Sequence, residues 1–198
     1  MATIASLFFL WLFPVLDAQT ALDHFWNDLK SFSADFSQST FDDKNQVIRE
    51  SQGHIDFVAP NRFRITDNHG QTIVADGQWV WIYDHDLNQV IRRPQSRVFS
   101  EAPAAILFRG KQLQAVYVIA EIGKKNGVFW YEAKPKQGES FDVIRLGFCE
   151  NTLCQLEMQD AFGQKTVIHF LNVWKNKNIA TEHFVFHVPD HADVVTEE

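Results

Sequence analysis

The sequence is poor in the residues that build small cross-linked or fibrous folds. Only two cysteines occur in 198 residues, with nine glycines and six prolines. These counts exclude a disulfide-dense scaffold, a collagen-like repeat and a Gly/Pro-rich linker as the bulk of the chain. Positive charge is in deficit as well. Eighteen Lys and Arg stand against 25 Asp and Glu, a formal charge of -7. Nucleic-acid binders and proteins that dock on anionic lipid are usually basic, so neither partner is expected. The apolar run from Ile4 to Leu16 is too short to span a bilayer. Its thirteen residues rise about 20 Å as a helix, against a hydrocarbon core of roughly 30 Å. Stable membrane insertion is therefore not expected.

Catalytic signatures are also missing. No G-x-S-x-G, H-E-x-x-H, Walker loop or G-x-G-x-x-G occurs, although a triad scattered along the chain needs no local motif. His183, His187 and His191 recur every four residues. Phe184-Val185-Phe186 and Pro189 point to a strand, which sets His183 and His187 some 13 Å apart, too far for one tetrahedral ion. No catalytic residue, metal or cofactor is nominated.

What the chain does carry is aromatic bulk: 18 Phe, 6 Trp and 3 Tyr. Such a chain buries a large apolar core or lines a large apolar cavity. Its first eighteen residues have the outline of a secretory signal peptide. An uncharged run is followed by Pro14 and small Ala18, with cleavage expected near Ala18–Gln19. Leu16-Asp17-Ala18 would be a lipidation box if Cys followed, but Gln19 does. The expectation is a signal peptide at 1–18 and one domain at 19–198, exported and not lipid-anchored, with a membrane-anchored N-terminus as the alternative. In an oxidising compartment Cys149 and Cys154, flanking a turn at 150–153, are expected to form a cross-hairpin disulfide. Two free thiols are the alternative, and a metal or redox pair comes after that because the C-x-x-C spacing is missing.

Hydrophobic spacing divides the chain. Leu22, Phe25, Trp26, Leu29 and Phe32 recur at helical intervals and predict an amphipathic helix over 20–33. Beyond it the period is two: Ile55 with Phe57, Phe63 with Ile65, and Trp79, Trp81 and Tyr83 against Val80 and Ile82. Similar alternation returns in 128–134, 141–149, 154–159, 166–174 and 182–188, with turn signals such as Asp76-Gly77 and Asn126-Gly127 between. From Pro103 to Tyr117 the pattern becomes helical again, split at Gly110. Strands such as 128–131 and 141–148 are apolar on both faces, so either both faces are covered or one forms an apolar groove.

Several blocks resemble a known family. Ala34-Asp35-Phe36-Ser37-Gln38, after an N-terminal helix, is similar to the A-x-F-x-Q start of the LolA family of periplasmic lipoprotein carriers. Gly53 to Ile65 resembles its G-x-l-x-x-x-R-P-x-x-F-r-w block. Val74 to Asp84, then Leu87 to Val90, resembles its D-G-x-x-v-W-x-Y-D block. Pro103 to Leu107 is similar to the family's lid helix, and Phe184 to Pro189 to its terminal F-x-F-x-x-P.

The resemblance implies a mainly β (α+β) fold: an open antiparallel β-barrel of about ten to eleven strands, with short helices covering an apolar cavity. It implies a non-enzymatic, monomeric periplasmic chaperone. This would shelter lipoprotein acyl chains released by an inner-membrane ABC transporter of the LolCDE type and deliver them to LolB, the outer-membrane acceptor. A lipid- or lipoprotein-sensing regulatory domain of the same fold is the competing reading. Phe36, Phe63, Trp81, Ile106 and Leu107 are the candidates for cavity wall and lid. The pattern breaks at Ala59, where the family carries an Arg held to bond the lid and close the empty cavity. Ala59 has no group for that bond, and alternation puts Arg62 and Arg64 on the face opposite Phe63.

Overall fold

The computed structural model describes residues 19–95, 111–137 and 141–197. The expected signal peptide, 1–18, and the expected lid residues Ile106 and Leu107 lie outside the described residues. Helix α1 (Gln19–Asp28) leads into β1 (Ser31–Phe41), β2 (Val47–Val58), β3 (Arg62–Asp67), β4 (Gln71–Ala75), β5 (Trp79–Asp84) and β6 (Gln89–Pro94). Helix α2 (Lys111–Val116) precedes β7 (Tyr117–Lys125), β8 (Val128–Pro135), β9 (Phe141–Cys149), β10 (Thr152–Asp160) and β11 (Lys165–Lys175). A 3-10 turn (Thr181–Phe184) and β12 (Asp193–Thr196) end the chain.

The twelve strands among the described residues join one curled sheet, in the order β12-β6-β5-β4-β3-β2-β1-β11-β10-β9-β8-β7. Every pairing is antiparallel except the last strand, β12, which runs parallel to β6. Tight turns set this meander. At Asn126-Gly127 and Glu150-Asn151 both residues have positive φ, the conformation a two-residue hairpin needs to match strand twist. The second turn is closed by the expected disulfide between Cys149 and Cys154. A bulge between Leu153 and Gln155 puts Cys154 out of the ladder and within reach of Cys149. So small a ring constrains the unfolded chain little: replacing both cysteines by serine should cost about 2 kcal/mol in urea unfolding.

Strand alternation gives the sheet two unlike faces. Leu22, Phe25 and Leu29 on and beside α1 pack into the concave face, in one cluster with Phe32, Phe57, Phe63, Leu146, Leu156 and Phe170. Leu113 of α2 joins the same cluster, wholly buried. Each such side chain contributes about 1.5–3 kcal/mol on leaving water.

Three expectations need correction. The N-terminal helix stops at Asp28, and Phe32 belongs to β1. Its spacing from Leu29 suits a helix, but with Ala34 and Phe36 it also forms the inward row of a strand. Second, 182–188 forms no strand. Phe184 is buried and Val185 exposed, so the alternation is present, yet the segment has no ladder partner and lies across the outer face. Third, β7 follows α2 directly, where the spacing predicts no strand because Glu121, Gly123, Lys124 and Lys125 interrupt the apolar pattern.

Candidate functional site

The register aligns one residue type across the curl. Ile55 faces Ile65, Ile65 faces Ile73, Ile73 faces Ile82 and Ile82 faces Ile91, five isoleucines on five neighbouring strands. On the next row toward the packed end stand Phe57, Phe63, Ala75 and Val80. Four of the first row, Ile55, Ile65, Ile73 and Ile82, with Phe36, Ile168 and Phe170, wall a cavity of about 500 Å³. That volume is typical of sites for small apolar ligands, about 300–1,000 Å³. Away from the core its lining turns polar, through Gln38, Thr40 and Ser51 to Gln71, Gln164 and Thr166. Thr40 and Thr166 face each other, Oγ1 to Oγ1, at 3.4 Å. Arg49 and Asp67, also in the lining, lie 4.0 Å apart.

The candidates from sequence fall in different places. Phe36 lines the cavity. Phe63 lies one row below it, 1% exposed in the packed core. Trp81 is misplaced by the sequence reading: it pairs with Val74 and Arg92, a row on the outer face, whereas Val80 and Ile82 pack with the core. Alternation separates the two sets but cannot say which set points inward when both are large and apolar. The outer face is apolar here because the C-terminal segment covers it. Phe186 stacks on Trp81 at 5.5 Å between centroids, and Arg92 lies 4.5 Å above the ring of Trp79.

Ala59 is exposed at the end of β2, its N–H donating to the Lys30 carbonyl. Arg62 and Arg64 are on the outer face as expected. Arg62 Nε donates to the Asp76 carbonyl and Arg64 reaches the His183 carbonyl, 3.1 and 3.4 Å. Neither reaches into the cavity. Sequence reasoning missed Ser51 and Gly53. Gly53 stands opposite Phe36, whose ring lies over it, and a glycine inside a strand is the usual sign of such close approach.

Asp76, at the turn before β5, organises the outer aromatics. Its carboxylate accepts the N–H groups of Gln78 and Trp79 and the indole N–H of Trp81, at 2.8, 2.8 and 2.9 Å. Burial pushes its pKa up, but these donors together outweigh burial and hold it below the ordinary 3.8. A depressed carboxylate stabilises the fold above its unfolded pKa and loses that contribution as pH falls through the folded value. Asp76→Ala should cost about 2–3 kcal/mol at neutral pH by leaving donors unpaired. The gap from the parent protein should narrow below pH 3.8, as urea unfolding at neutral and acid pH would show.

Also on the outer face, Ser33 Oγ lies 3.2 Å from His54 Nε2, and His54 Nδ1 lies 2.8 Å from Asp35 Oδ1. The order is that of a serine hydrolase, but the setting is not. Ser33 is 4% exposed, on a strand paired on both sides. Strand amides point along the sheet, so no pair of donors converges above that hydroxyl to hold an oxyanion. Hydrogen bonds from Asn172 Nδ2 and from His54 hold Asp35 below its ordinary 3.8. Asp56 in turn binds His183 Nε2 at 2.8 Å, fastening the C-terminal segment to the sheet.

A sheet curled over an apolar cavity with a polar rim has the architecture of a ligand-sheltering barrel. The sequence over residues 27–187 matches the family described as outer membrane lipoprotein carrier protein LolA, and the chain belongs to that family. An outer-membrane lipoprotein carrier protein of Methylobacillus flagellatus is 35% identical over 184 residues, 91% of this chain and 90% of the relative. One from Nitrosomonas europaea is 36% identical over 182 residues, covering 90% and 88%. Among solved structures, an uncharacterized conserved protein of Thermus thermophilus shares the fold, with a TM-score of 0.61 at 14% identity, over 91% of this chain and 99% of that one. No helix among the described residues is long and apolar enough to cross a membrane.

Proposed function

We propose that this chain is a periplasmic carrier that shelters lipoprotein acyl chains between two membranes. Its cargo is released by an inner-membrane ABC transporter of the LolCDE type and passes to an outer-membrane acceptor of the LolB type. The chain acts as a monomer after loss of residues 1–18 and catalyses no reaction. One observation carries this reading: the apolar cavity lies on the concave face of a sheet in a chain about 35% identical to proteins named outer-membrane lipoprotein carriers. Exposed acyl chains cost about 0.8 kcal/mol per methylene in water, so transit through an aqueous compartment requires such a shelter. In this reading Phe36, Ile55, Ile65, Ile73 and Ile82 supply the wall, and Ile106 and Leu107, outside the described residues, are the lid candidates. Binding must also stay weak enough for delivery, which a lid that has to be displaced achieves.

The test incubates the purified protein with energised spheroplasts and asks whether membrane lipoproteins become soluble in complex with it. One-to-one complexes are the expected result. A folded protein that binds an apolar fluorescent probe but releases no lipoprotein would replace the carrier reading with that of a lipid sensor.

A further inference from the structure

The cavity is not uniformly apolar, and several of its polar groups have no partner among the described residues. Ser51 is only 6% exposed, lines the cavity, and its hydroxyl has no hydrogen-bond partner among the described residues. The side-chain amides of Gln38, Gln71 and Gln164, also in the lining, are likewise without partners among the described residues. Gln38 faces Ser51 directly across the β1–β2 ladder, so the two make a shelf where the apolar wall of Phe36 and Ile55 ends. A buried polar group without a partner is costly, and native proteins pair such groups with something. Solvent in the open cavity can serve the glutamines and the Ser51 hydroxyl alike, but a bound chain that displaces this solvent strands them unless it brings a partner of its own.

The charge on the rim narrows what that ligand carries. Arg49, 56% exposed at its side chain, lies 4.0 Å from Asp67, whose side chain is 9% exposed. Asp67 Oδ1 is already occupied by the N–H groups of His69 and Gln71, at 3.0 Å each. An ionised head at this level would meet cation and anion together, with no net attraction. The donors left over are neutral: one hydroxyl and three primary amides.

We infer that the Gln38–Ser51 shelf hydrogen-bonds the uncharged carbonyls, ester or amide, that join acyl chains to their head. The cavity thereby selects acylglyceride and N-acyl linkages over bare hydrocarbon chains and over ionised fatty acids. This rests on the acyl-chain reading above and adds to it the chemistry at the chain's polar end. A hydrogen-bonding site discriminates most strongly against an analogue that lacks the bonding group, because its own buried groups are then stranded.

The experiment displaces an apolar fluorescent probe from the purified protein with three ligands of equal chain length: dioctanoylglycerol, its dioctyl ether analogue and octanoate. The diester should displace the probe at about tenfold lower concentration than the diether, as one or two neutral hydrogen bonds allow. Octanoate should be weaker than the diester. In the Gln38→Leu, Ser51→Ala double variant the diester-to-diether ratio should collapse to about twofold. Ser51→Ala alone, which removes a hydroxyl with no protein partner, supplies the same comparison in a protein with minimal disturbance. Equal displacement by diester and diether in the parent protein overturns the inference and leaves the apolar cavity standing. So does a ratio that survives both substitutions. Failure of every ligand to displace the probe would overturn the cavity reading itself, and the shelf with it.

Discussion

Gly53→Ala is expected to destabilise the protein by about 4 kcal/mol or more, at the far end of what single substitutions do. A Cβ at this position would collide with the backbone carbonyl oxygen of Thr66, and would lie 2.9 Å from the Asp67 Cα and 2.8 Å from the tip of the Phe36 ring. The first two obstacles are main chain of β3 and cannot swing aside as a side chain would. Relief requires β3 to move away from β2, which disturbs the ladder running from Gly53–Asp67 to Val58–Arg62. Phe36 would be pushed off the cavity wall at the same time. Thermal or urea unfolding checks the first effect and titration with an apolar probe the second. A variant that unfolds within about 1 kcal/mol of the parent would mean the β2–β3 crossing is looser than described.

Phe63→Glu should be comparably severe, for a different reason. Truncating a buried Phe costs about 3–5 kcal/mol, and an unpaired carboxylate there costs several more. Their sum approaches the whole stability of a typical domain, about 5–15 kcal/mol. The sequence places Phe63 in a matched block and suggests a cavity wall, where a carboxylate would impair cargo handling while the sheet survived. Its 1% exposure predicts instead the loss of cooperative unfolding by circular dichroism. Ile73→Glu is the useful companion, since Ile73 is half-buried and lines the cavity. It should leave the sheet folded and abolish probe binding. If Phe63→Glu stayed fully folded, the packed row beneath the cavity would have been misread.

How far the sequence reaches can be judged residue by residue. The meander was legible because turn residues with positive φ, such as Asn126 and Gly127, punctuate runs of period two. The disulfide was legible from export and spacing. Phe36 was placed on the cavity by a matched motif. Trp81 was not, because Trp79, Trp81 and Tyr83 on one side compete with Val80 and Ile82 on the other. What decides between them is Phe186, far along the chain, which stacks on Trp81 and lies beside Tyr83. Ser51 gives no signal at all: its importance is a missing partner, which exists only once neighbouring strands surround it. Gly53 did give one, an interior strand glycine, although its meaning depends on β3 crossing close by.

The sheet begins at β12 and ends at β7, and no ladder among the described residues joins them. A closed barrel of fixed strand number and stagger has a fixed girth, so enlarging it means breaking hydrogen bonds. A sheet with two free margins behaves instead like a spring clip. Relaxing its curl widens it without breaking a ladder bond, because strand-to-strand twist is adjustable. Its capacity is then governed by bending stiffness, and the close crossing at Gly53 is one place where that stiffness is concentrated.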